Sequence, residues 1–325
     1  MANKDGAPVH LWDKVFSKSE NVNHSKITFY NRYGNTLIAD RYEPKTVVGK
    51  LPAIAVAGPF GAVKEQVSGL YAQTMAEKGF LTIAFDPSYT GESGGLPRDV
   101  ASPDINTEDF CAAIDYLSTL EIVNKDCIGI IGICGWGGMA LNAAAMDTRI
   151  KATVTLSMYD MSRVYANRYF DSMDSDEKYE MLKRLNDQRT LDFKNESYAK
   201  DLSVANVGHQ EAAVDMDCNA DFYKKKRGYH KRSLNSNEGW NITSSLSFVN
   251  MPLLMYSSEI RSPVLMIHGD NTHSLYFSKD AFNALRGDNK EIMIIPGIND
   301  EDLFDKIHSI PFTKIEQFFN EYLKY

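Results

Sequence analysis

The chain has 325 residues, of which 43% are hydrophobic, so it can fill a large core and is neither disordered nor of low complexity. Lysine and arginine number 35 against 43 aspartates and glutamates, and this net charge of −8 argues against a nucleic acid partner. No apolar run is long enough to cross a bilayer, so we expect no membrane segment.

In chain order, apolar strand patterns alternate with helical patterns. The predicted strands are Lys26–Tyr30, Thr36–Tyr42, Leu51–Ala57, Phe80–Phe85, Cys127–Ile133, Ala152–Met158, Pro263–His268 and Glu291–Pro296. The predicted helices cover residues 67–75, 107–117 with a cap at Asn106 or Thr107, 136–147, 175–191, 280–286 and 315–323. The first two strands predict a hairpin, and the later alternation predicts parallel βαβ units. The fold class is therefore α/β, with a mostly parallel central sheet.

The alternation stops between two of the predicted strands. Residues 161–259 are rich in polar and aromatic side chains and contain few aliphatic runs. A structureless stretch of this length would be unusual inside a compact domain. We therefore expect a helical cap or lid at 161–259, inserted into a core formed by residues 1–160 and 260–325.

One glycine-rich motif places a possible nucleophile, Cys134, between a predicted strand and a predicted helix. The sequence Gly132-Ile-Cys134-Gly-Trp-Gly-Gly138 lies between a predicted buried strand and a predicted helix of small residues. This context predicts a nucleophile elbow, a sharp turn in which the positions two before and two after the nucleophile are expected to be glycine because side chains there would collide. The helix N-terminus would lower the pKa of the Cys134 thiol and favour the thiolate. A buried structural cysteine is the alternative.

Two backbone N–H groups are candidates for an oxyanion hole. The N–H of Gly135 would be one donor, and the loop after the third predicted strand would supply the other. In that loop Pro59 has no N–H, so Phe60 is the candidate. Trp136 and Lys64 are candidates for lining the substrate site, although an ion pair at the start of a helix is a plainer role for Lys64.

With these motifs in view, the sequence resembles the α/β-hydrolase superfamily, in a bacterial branch near the dienelactone-hydrolase-like enzymes with a cysteine nucleophile. Further stretches that carry the resemblance are Asn31–Gly34, Gly58–Gln66, Phe85–Ser93, Met158–Arg163 and Ile267–Asp270. The resemblance implies an α/β-hydrolase fold with an N-terminal hairpin and a cap. It also implies hydrolysis of an acyl, ester or lactone bond by a nucleophile, an acid and a histidine.

The position of the catalytic histidine departs from this pattern. Relatives carry histidine in a Pro-Gly-x-x-His sequence, where this chain reads Pro296-Gly-Ile-Asn-Asp300. A carboxyl group has a reference pKa of about 3.9, against about 6.5 for imidazole, so Asp300 is no simple replacement. Its charge would also repel a thiolate and raise the pKa of Cys134.

Three other histidines could serve as the base. His308 lies eight residues after Asp300, His273 lies in a loop at the carboxyl edge of the sheet, and His230 lies in the expected cap. Each could equally be an ordinary surface or core histidine. His268 is expected to be structural, at the end of its strand.

The acid is equally open. Its usual position is occupied by Thr272, so Asp160 and Asp270 remain as equal candidates. A turn-forming role for Asp270 and an ion pair between Asp160 and Arg163 are the structural alternatives.

These observations predict a hydrolase that uses Cys134 to cleave an ester, thioester or lactone of a small, partly apolar molecule. Acyl transfer or a lyase reaction would give the same pattern. The alternative is a degenerate hydrolase that binds a small molecule or partner without turnover, because Asp300 occupies the histidine position. We expect no cofactor and no metal site. No export signal and no C-x-x-C spacing are visible, which favours a cytoplasmic protein with reduced thiols at Cys111, Cys127, Cys134 and Cys218.

Overall fold

The computed structural model describes residues 12–201 and 222–323. Within them the strands are β1 (Val22–Tyr30), β2 (Thr36–Pro44), β3 (Leu51–Ala57), β4 (Leu81–Phe85), β5 (Val123–Ile133), β6 (Ile150–Leu156), β7 (Lys200–Asp201), β8 (Trp240–Asn241), β9 (Val264–Gly269) and β10 (Lys290–Ile295). The helices are α1 (Val67–Glu77), α2 (Pro103–Thr119), α3 (Gly135–Met146), α4 (Met161–Asn167), α5 (Ser175–Asn195), α6 (Leu234–Asn237), α7 (Ser245–Asn250), α8 (Leu275–Ala284), α9 (Asp302–Asp305) and α10 (Phe312–Tyr322).

Eight strands form one sheet in the order β1-β2-β4-β3-β5-β6-β9-β10. The β1–β2 and β2–β4 pairs are antiparallel, and every later pair in this sheet is parallel. Because β3, β4 and the apolar end of β5 are buried on both faces, they appear in the sequence as continuous apolar runs. The expected α/β fold with an N-terminal hairpin is confirmed.

Helices cover both faces of the sheet and enclose two apolar cores. Phe110 of α2 and Met139 of α3 belong to the core on one face. Tyr71 of α1 and Phe319 of α10 belong to the core on the other. This two-sided covering explains why the parallel strands contain so few polar side chains.

The boundary of α2 differs from the sequence prediction. The helix begins at Pro103, and the side chain of Ser102 accepts a hydrogen bond from the N–H of Ile105. The predicted cap at Asn106 or Thr107 was therefore wrong. Proline at the first helical position has no N–H to leave unsatisfied, so the Ser-Pro pair starts the helix a turn earlier.

The segment between β6 and β9 lies outside the main sheet. Its described part contains α4 to α7 and the two-stranded β7–β8 ribbon. The ring of Trp240 stacks on Phe60 of the core with 4.5 Å between centroids, and Phe248 packs edge-on against the same ring. Among the described residues, no helix has the length and apolar character needed to span a membrane.

Parallel strands bring the loops that follow them to one edge of the sheet. The turns after β3, β5, β6, β9 and β10 carry Phe60, Cys134, Asp160, Thr272 and Asp300, respectively. Ligands of open α/β sheets bind outside this carboxyl edge, so these loops define the candidate site.

Candidate active site

Cys134 lies on a strained turn between β5 and α3. Its backbone φ of 57° and ψ of −128° are unusual for a residue with a side chain. The turn is held by the Cys134 N–H, which donates to Leu156 at 2.8 Å. Its carbonyl accepts hydrogen bonds from Gly137 at 2.9 Å and Tyr159 at 3.1 Å. The strand and helix therefore fix the thiol at the carboxyl edge of the sheet.

Close packing explains two of the surrounding glycines. A Cβ at Gly132 would lie 2.4 Å from the carbonyl oxygen of Trp136, and one at Gly135 would lie 2.9 Å from the Cβ of Phe60. The expectation of glycine two positions after the cysteine was wrong: this residue is Trp136, whose ring turns into the core and packs edge-on against Phe85 and Phe110. Trp136 is only 2% exposed and belongs to the core. The expectation that it lines the substrate site was therefore wrong.

Two backbone donors converge on the thiol. The N–H groups of Phe60 and Gly135 both lower the pKa of the Cys134 thiol, so each lies near its sulfur. The loop that carries Phe60 packs directly on the elbow, since a Cβ at Gly58 would lie 2.2 Å from the carbonyl oxygen of Ile133. The two candidate oxyanion donors therefore come from different loops and meet at one point.

The pKa of the Cys134 thiol is nevertheless high. Burial raises this pKa, and the charge of Asp300 raises it further, to about 12 against the opposing effect of the two N–H groups. The expectation that the helix N-terminus would favour a thiolate was wrong, because desolvation and a nearby carboxylate outweigh it. Cys134 is protonated at neutral pH, although its side chain keeps partial exposure.

Asp300 is buried beside the thiol in a shell of neutral donors. Its Oδ2 accepts hydrogen bonds from Tyr159 Oη at 2.8 Å, Thr272 Oγ1 at 2.7 Å and Ser274 Oγ at 2.7 Å. Its Oδ1 lies 3.3 Å from Nε2 of His268. Burial would raise the pKa of Asp300, but His268 and the hydroxyl donors lower it to about 2. Asp300 is therefore a carboxylate at neutral pH.

Most of this shell was not predicted from the sequence. Thr272 was noted only as the residue at the usual acid position, and His268 was predicted to be structural. His268 is fully buried, and its two ring nitrogens lie within hydrogen-bond distance of Ser274 and Ser278. A useful signal was that Thr272 and Asp300 occupy the two positions where relatives carry the acid and the histidine, which lie side by side in a triad.

The three candidate histidines lie in three different parts of the structure. His273 packs against Tyr169 and Tyr159, with ring centroids 4.5 and 6.0 Å apart, at the border of the Asp300 shell. His308 is exposed in the turn before α10. His230 is buried, and desolvation and Arg232 lower its pKa to about 4.

The two candidate acids serve local structure. The Asp160 carboxylate caps α4, accepting hydrogen bonds from the backbone N–H of Arg163 and from Ser162 Oγ. Burial raises the pKa of Asp160. Asp270 is exposed and accepts a hydrogen bond from the N–H of Gly297 at 2.6 Å. Within the described residues, neither carboxylate is hydrogen-bonded to a histidine.

Lys64 lies in a buried cluster of charges and not at the mouth of the site. Its Nζ contacts carboxylate oxygens of Glu65 at 2.7 Å, Asp86 at 2.9 Å and Glu92 at 2.6 Å. Burial lowers the pKa of Lys64, but the carboxylates raise it above its usual value overall. Lys64 is fully buried, so its expected role in lining the substrate site was wrong, and it holds the loop after Phe60 to the strands.

Two relatives span most of this chain. The uncharacterized protein PA2218 of Pseudomonas aeruginosa is 54% identical over 96% of this chain and 84% of its own length. The uncharacterized protein YcjY of Escherichia coli is 32% identical over 87% of this chain and 93% of its own. A shorter match to the thiohydrolase aneE of Aspergillus aculeatus is 32% identical over 32% of this chain and 33% of its own.

Solved structures reproduce the fold. The crystal structure of the hypothetical protein PA2218 superposes with a TM-score of 0.92 at 52% identity, covering 97% of this chain and 98% of its own. The α/β hydrolase GrgF of Penicillium sp. sh18 superposes with a TM-score of 0.77 at 18% identity, covering 93% of this chain and 100% of its own. The second likeness shows a shared fold.

The profile of the X-Pro dipeptidyl-peptidase (S15) family matches residues 34–298. The matched range contains the loop of Phe60, the elbow of Cys134 and the strands between them, and it ends shortly before Asp300. The chain therefore belongs to the X-Pro dipeptidyl-peptidase (S15) family and is an enzyme of the α/β-hydrolase type.

Proposed function

We propose that this enzyme hydrolyses an ester, thioester or lactone of a small, partly apolar molecule, with Cys134 as nucleophile. The observation that carries the proposal is the strained turn at Cys134, on which the loop of Phe60 packs closely enough for the Phe60 and Gly135 N–H groups to lower the pKa of the thiol. Donors in this position can hold the oxygen of an acyl carbonyl while the sulfur attacks its carbon.

The proposed reaction has two halves. The sulfur of Cys134 forms a bond to the acyl carbon, and the negative charge that develops on oxygen is held by the two N–H groups. The leaving group then departs with the thiol proton, which gives a thioester on the enzyme. Water attacks this thioester and restores the thiol.

The resemblance to dienelactone-hydrolase-like enzymes supports a cysteine nucleophile, and the thiohydrolase match supports a thioester substrate. Trp240 and Phe248 cover the ring of Phe60, which supports the assignment of residues 161–259 as a cap over an apolar acyl group. Reduced thiols at Cys111, Cys127 and Cys134 are consistent with a cytoplasmic enzyme.

Hydrolysis of an aryl acetate and of an acetyl thioester tests this proposal. We expect Cys134→Ala to abolish turnover and the acyl adduct that intact-protein mass spectrometry detects in wild type. Cys111→Ala is the matched control, because it removes another free thiol that lies away from the elbow, and it should keep both signals. Turnover by Cys134→Ala at the wild-type rate would refute a cysteine nucleophile.

A second candidate function is binding without turnover. The one observation that favours it is that Asp300 occupies the position of the triad histidine. The pKa values of the Cys134 thiol and Asp300 are about 12 and about 2, so Asp300 is a poor acceptor for the thiol proton. If wild type is silent and Asp300→His hydrolyses the thioester, the natural site binds acyl compounds without cleaving them.

A further inference from the structure

The insertion between β6 and β9 packs on the tip of the loop after β3. This loop, residues 58–66, is called the donor loop here because it carries Phe60. The carbonyl oxygen of Gly61, the next residue, accepts a hydrogen bond from Ser233 Oγ at 2.9 Å. A Cβ at Gly61 would lie 3.4 Å from the backbone nitrogen of Ser236. A stretch of the insertion therefore lies directly against the backbone beside one candidate oxyanion donor.

Two further contacts join the same pieces of chain. Gln66 lies at the end of the donor loop, and its Nε2 donates a hydrogen bond to the carbonyl oxygen of Gly228 at 2.5 Å. The guanidinium group of Arg232 donates to Glu65 at 2.6 Å. Residues 228–236, called the latch segment below, thus contact the donor loop from its tip to the start of α1.

The latch segment is itself held in one conformation. Nδ1 of His230 accepts a hydrogen bond from the N–H of Arg232 at 3.3 Å, and the N–H of Ser233 donates to the carbonyl oxygen of His230 at 3.0 Å. Arg232 also forms an ion pair with Asp13, from the chain before β1. His230 and Ser233 are both buried, so the hydrogen bonds of this turn do not compete with water.

Building on the proposed function, we propose that the latch segment sets the position of the Phe60 N–H, with Ser233 as the positioning residue. The donor loop packs on the elbow at Gly58 and on the latch segment at Gly61, so its position depends on both contacts. The insertion then assembles half of the oxyanion hole in addition to covering the site. Displacement of the latch segment slows the reaction at the acyl carbon and leaves substrate binding largely intact.

Steady-state hydrolysis of an acetyl thioester tests the role of Ser233. An oxyanion donor acts mainly on the transition state, so we expect Ser233→Ala to lower kcat by about tenfold and to change KM by less than about twofold. Ser257→Ala is the matched control and should keep kcat. It also removes a buried hydroxyl of the insertion, one that donates to the carbonyl oxygen of Leu254 at 2.8 Å and does not contact the donor loop.

Amide hydrogen exchange, followed by mass spectrometry, measures the donor loop without requiring turnover. The N–H groups of Ala62, Val63 and Lys64 are hydrogen-bonded to other residues of the described structure, at 3.1, 2.9 and 2.8 Å, so their exchange reports opening of the loop. Ser233→Ala should exchange about tenfold faster in a peptide covering residues 58–66 and at the wild-type rate in β5. Ser257→Ala should match wild type in both peptides.

The two measurements separate this inference from the proposed function. If wild type hydrolyses the thioester through Cys134 and Ser233→Ala keeps its kcat, the inference is overturned and the proposed function stands. If wild type is silent, the proposed function fails and exchange alone decides. Faster exchange confined to the donor loop then supports the inference, and unchanged exchange overturns it.

Two other results would also count against Ser233 as a positioning residue. They are faster exchange throughout the chain and a fall in kcat without faster exchange of the donor loop. Circular dichroism verifies that the variants fold. If Ser233→Ala does not fold, Arg232→Gln replaces it in both measurements, because this variant breaks the contact between the latch segment and Glu65.

Discussion

The protonation of two side chains, Cys134 and Asp300, decides what this site can do. Asp300 is buried and Cys134 is half-buried, and the two are in opposite protonation states at neutral pH. The thiol is neutral because desolvation dominates its pKa, and Asp300 is charged because His268 and three hydroxyl groups compensate its burial. A carboxylate so stabilised is a strong ligand for a cation and a weak base.

Replacing Asp300 by asparagine removes a negative charge that raises the pKa of the thiol. We expect the pKa of Cys134 to fall in Asp300→Asn, because Asp300 raises it in wild type. The rate at which iodoacetamide alkylates Cys134 at pH 8 should then rise by about tenfold, which corresponds to about one pKa unit. An unchanged rate would mean that burial alone sets the thiol pKa.

The same variant changes how stability depends on pH. The pKa of Asp300 falls from 3.8 to about 2 on folding, so its charge contributes stability that is present above the unfolded pKa and is lost as the pH falls through about 2. Asp300→Asn should cost about 2 kcal/mol at pH 7. Urea unfolding should show this cost shrinking between pH 4 and pH 2, and a cost independent of pH would contradict the assignment.

At the scale of elements, the elbow and the loop after β3 act as one unit. The N–H of Lys64 and its ammonium group both bond to Asp86, at 2.8 and 2.9 Å, while the other end of the loop packs on the elbow. Arg232 of the expected cap joins the same cluster through Glu65 at 2.6 Å. The position of the Phe60 N–H therefore depends on charges buried behind it.

Lys64→Met should destabilise the protein by about 3–5 kcal/mol, because it leaves Glu65, Asp86 and Glu92 without their shared cation. Chemical denaturation measures this loss. Lys183→Met is the control. The ammonium group of Lys183 is exposed and lies as far as 3.9 Å from Glu180, so its loss should cost less than about 1 kcal/mol of stability. A similar loss in the free energy of unfolding for both variants would mean that the buried charge cluster contributes little to stability.

The sequence patterns predicted the strands and helices well, but they predicted few of the contacts between side chains of different elements. The small and apolar residues of β5 and α3 were sufficient to predict the elbow, because strand, glycines and helix are local in the chain. The shell of Asp300 was not predictable, since Tyr159, Thr272 and Ser274 come from two different loops and meet only in the folded protein. The predicted ion pair of Lys64 is present with Glu65, but its candidate role in lining the substrate site was wrong, because a lysine in a loop is usually exposed and this one is buried.

At the scale of the whole molecule, the order of the strands determines which loops can cooperate. Strands β3, β5, β6 and β9 are neighbours in the sheet although β9 lies more than a hundred residues after β6. The alternation of patterns predicted the sheet and the position of the long insertion. It could not predict how the insertion meets the core, because aromatic residues have no periodicity that identifies their partners.

The stack of Trp240 on Phe60 links the insertion to the proposed oxyanion donors. Trp240→Ala should lower kcat for Cys134-dependent hydrolysis by about tenfold with a smaller change in KM, because the Phe60 N–H loses its support. Trp240→Phe keeps an aromatic ring and should retain most of the activity. A change confined to KM would instead indicate that Trp240 only contacts the substrate.

The high pKa of Cys134 also governs how the enzyme withstands oxidation. Peroxides react with thiolates, and the first product, a sulfenic acid, forms in proportion to the thiolate fraction. A thiol with a pKa of about 12 is almost wholly protonated at neutral pH. We therefore expect the enzyme to keep its activity at hydrogen peroxide concentrations that inactivate enzymes with low-pKa cysteines.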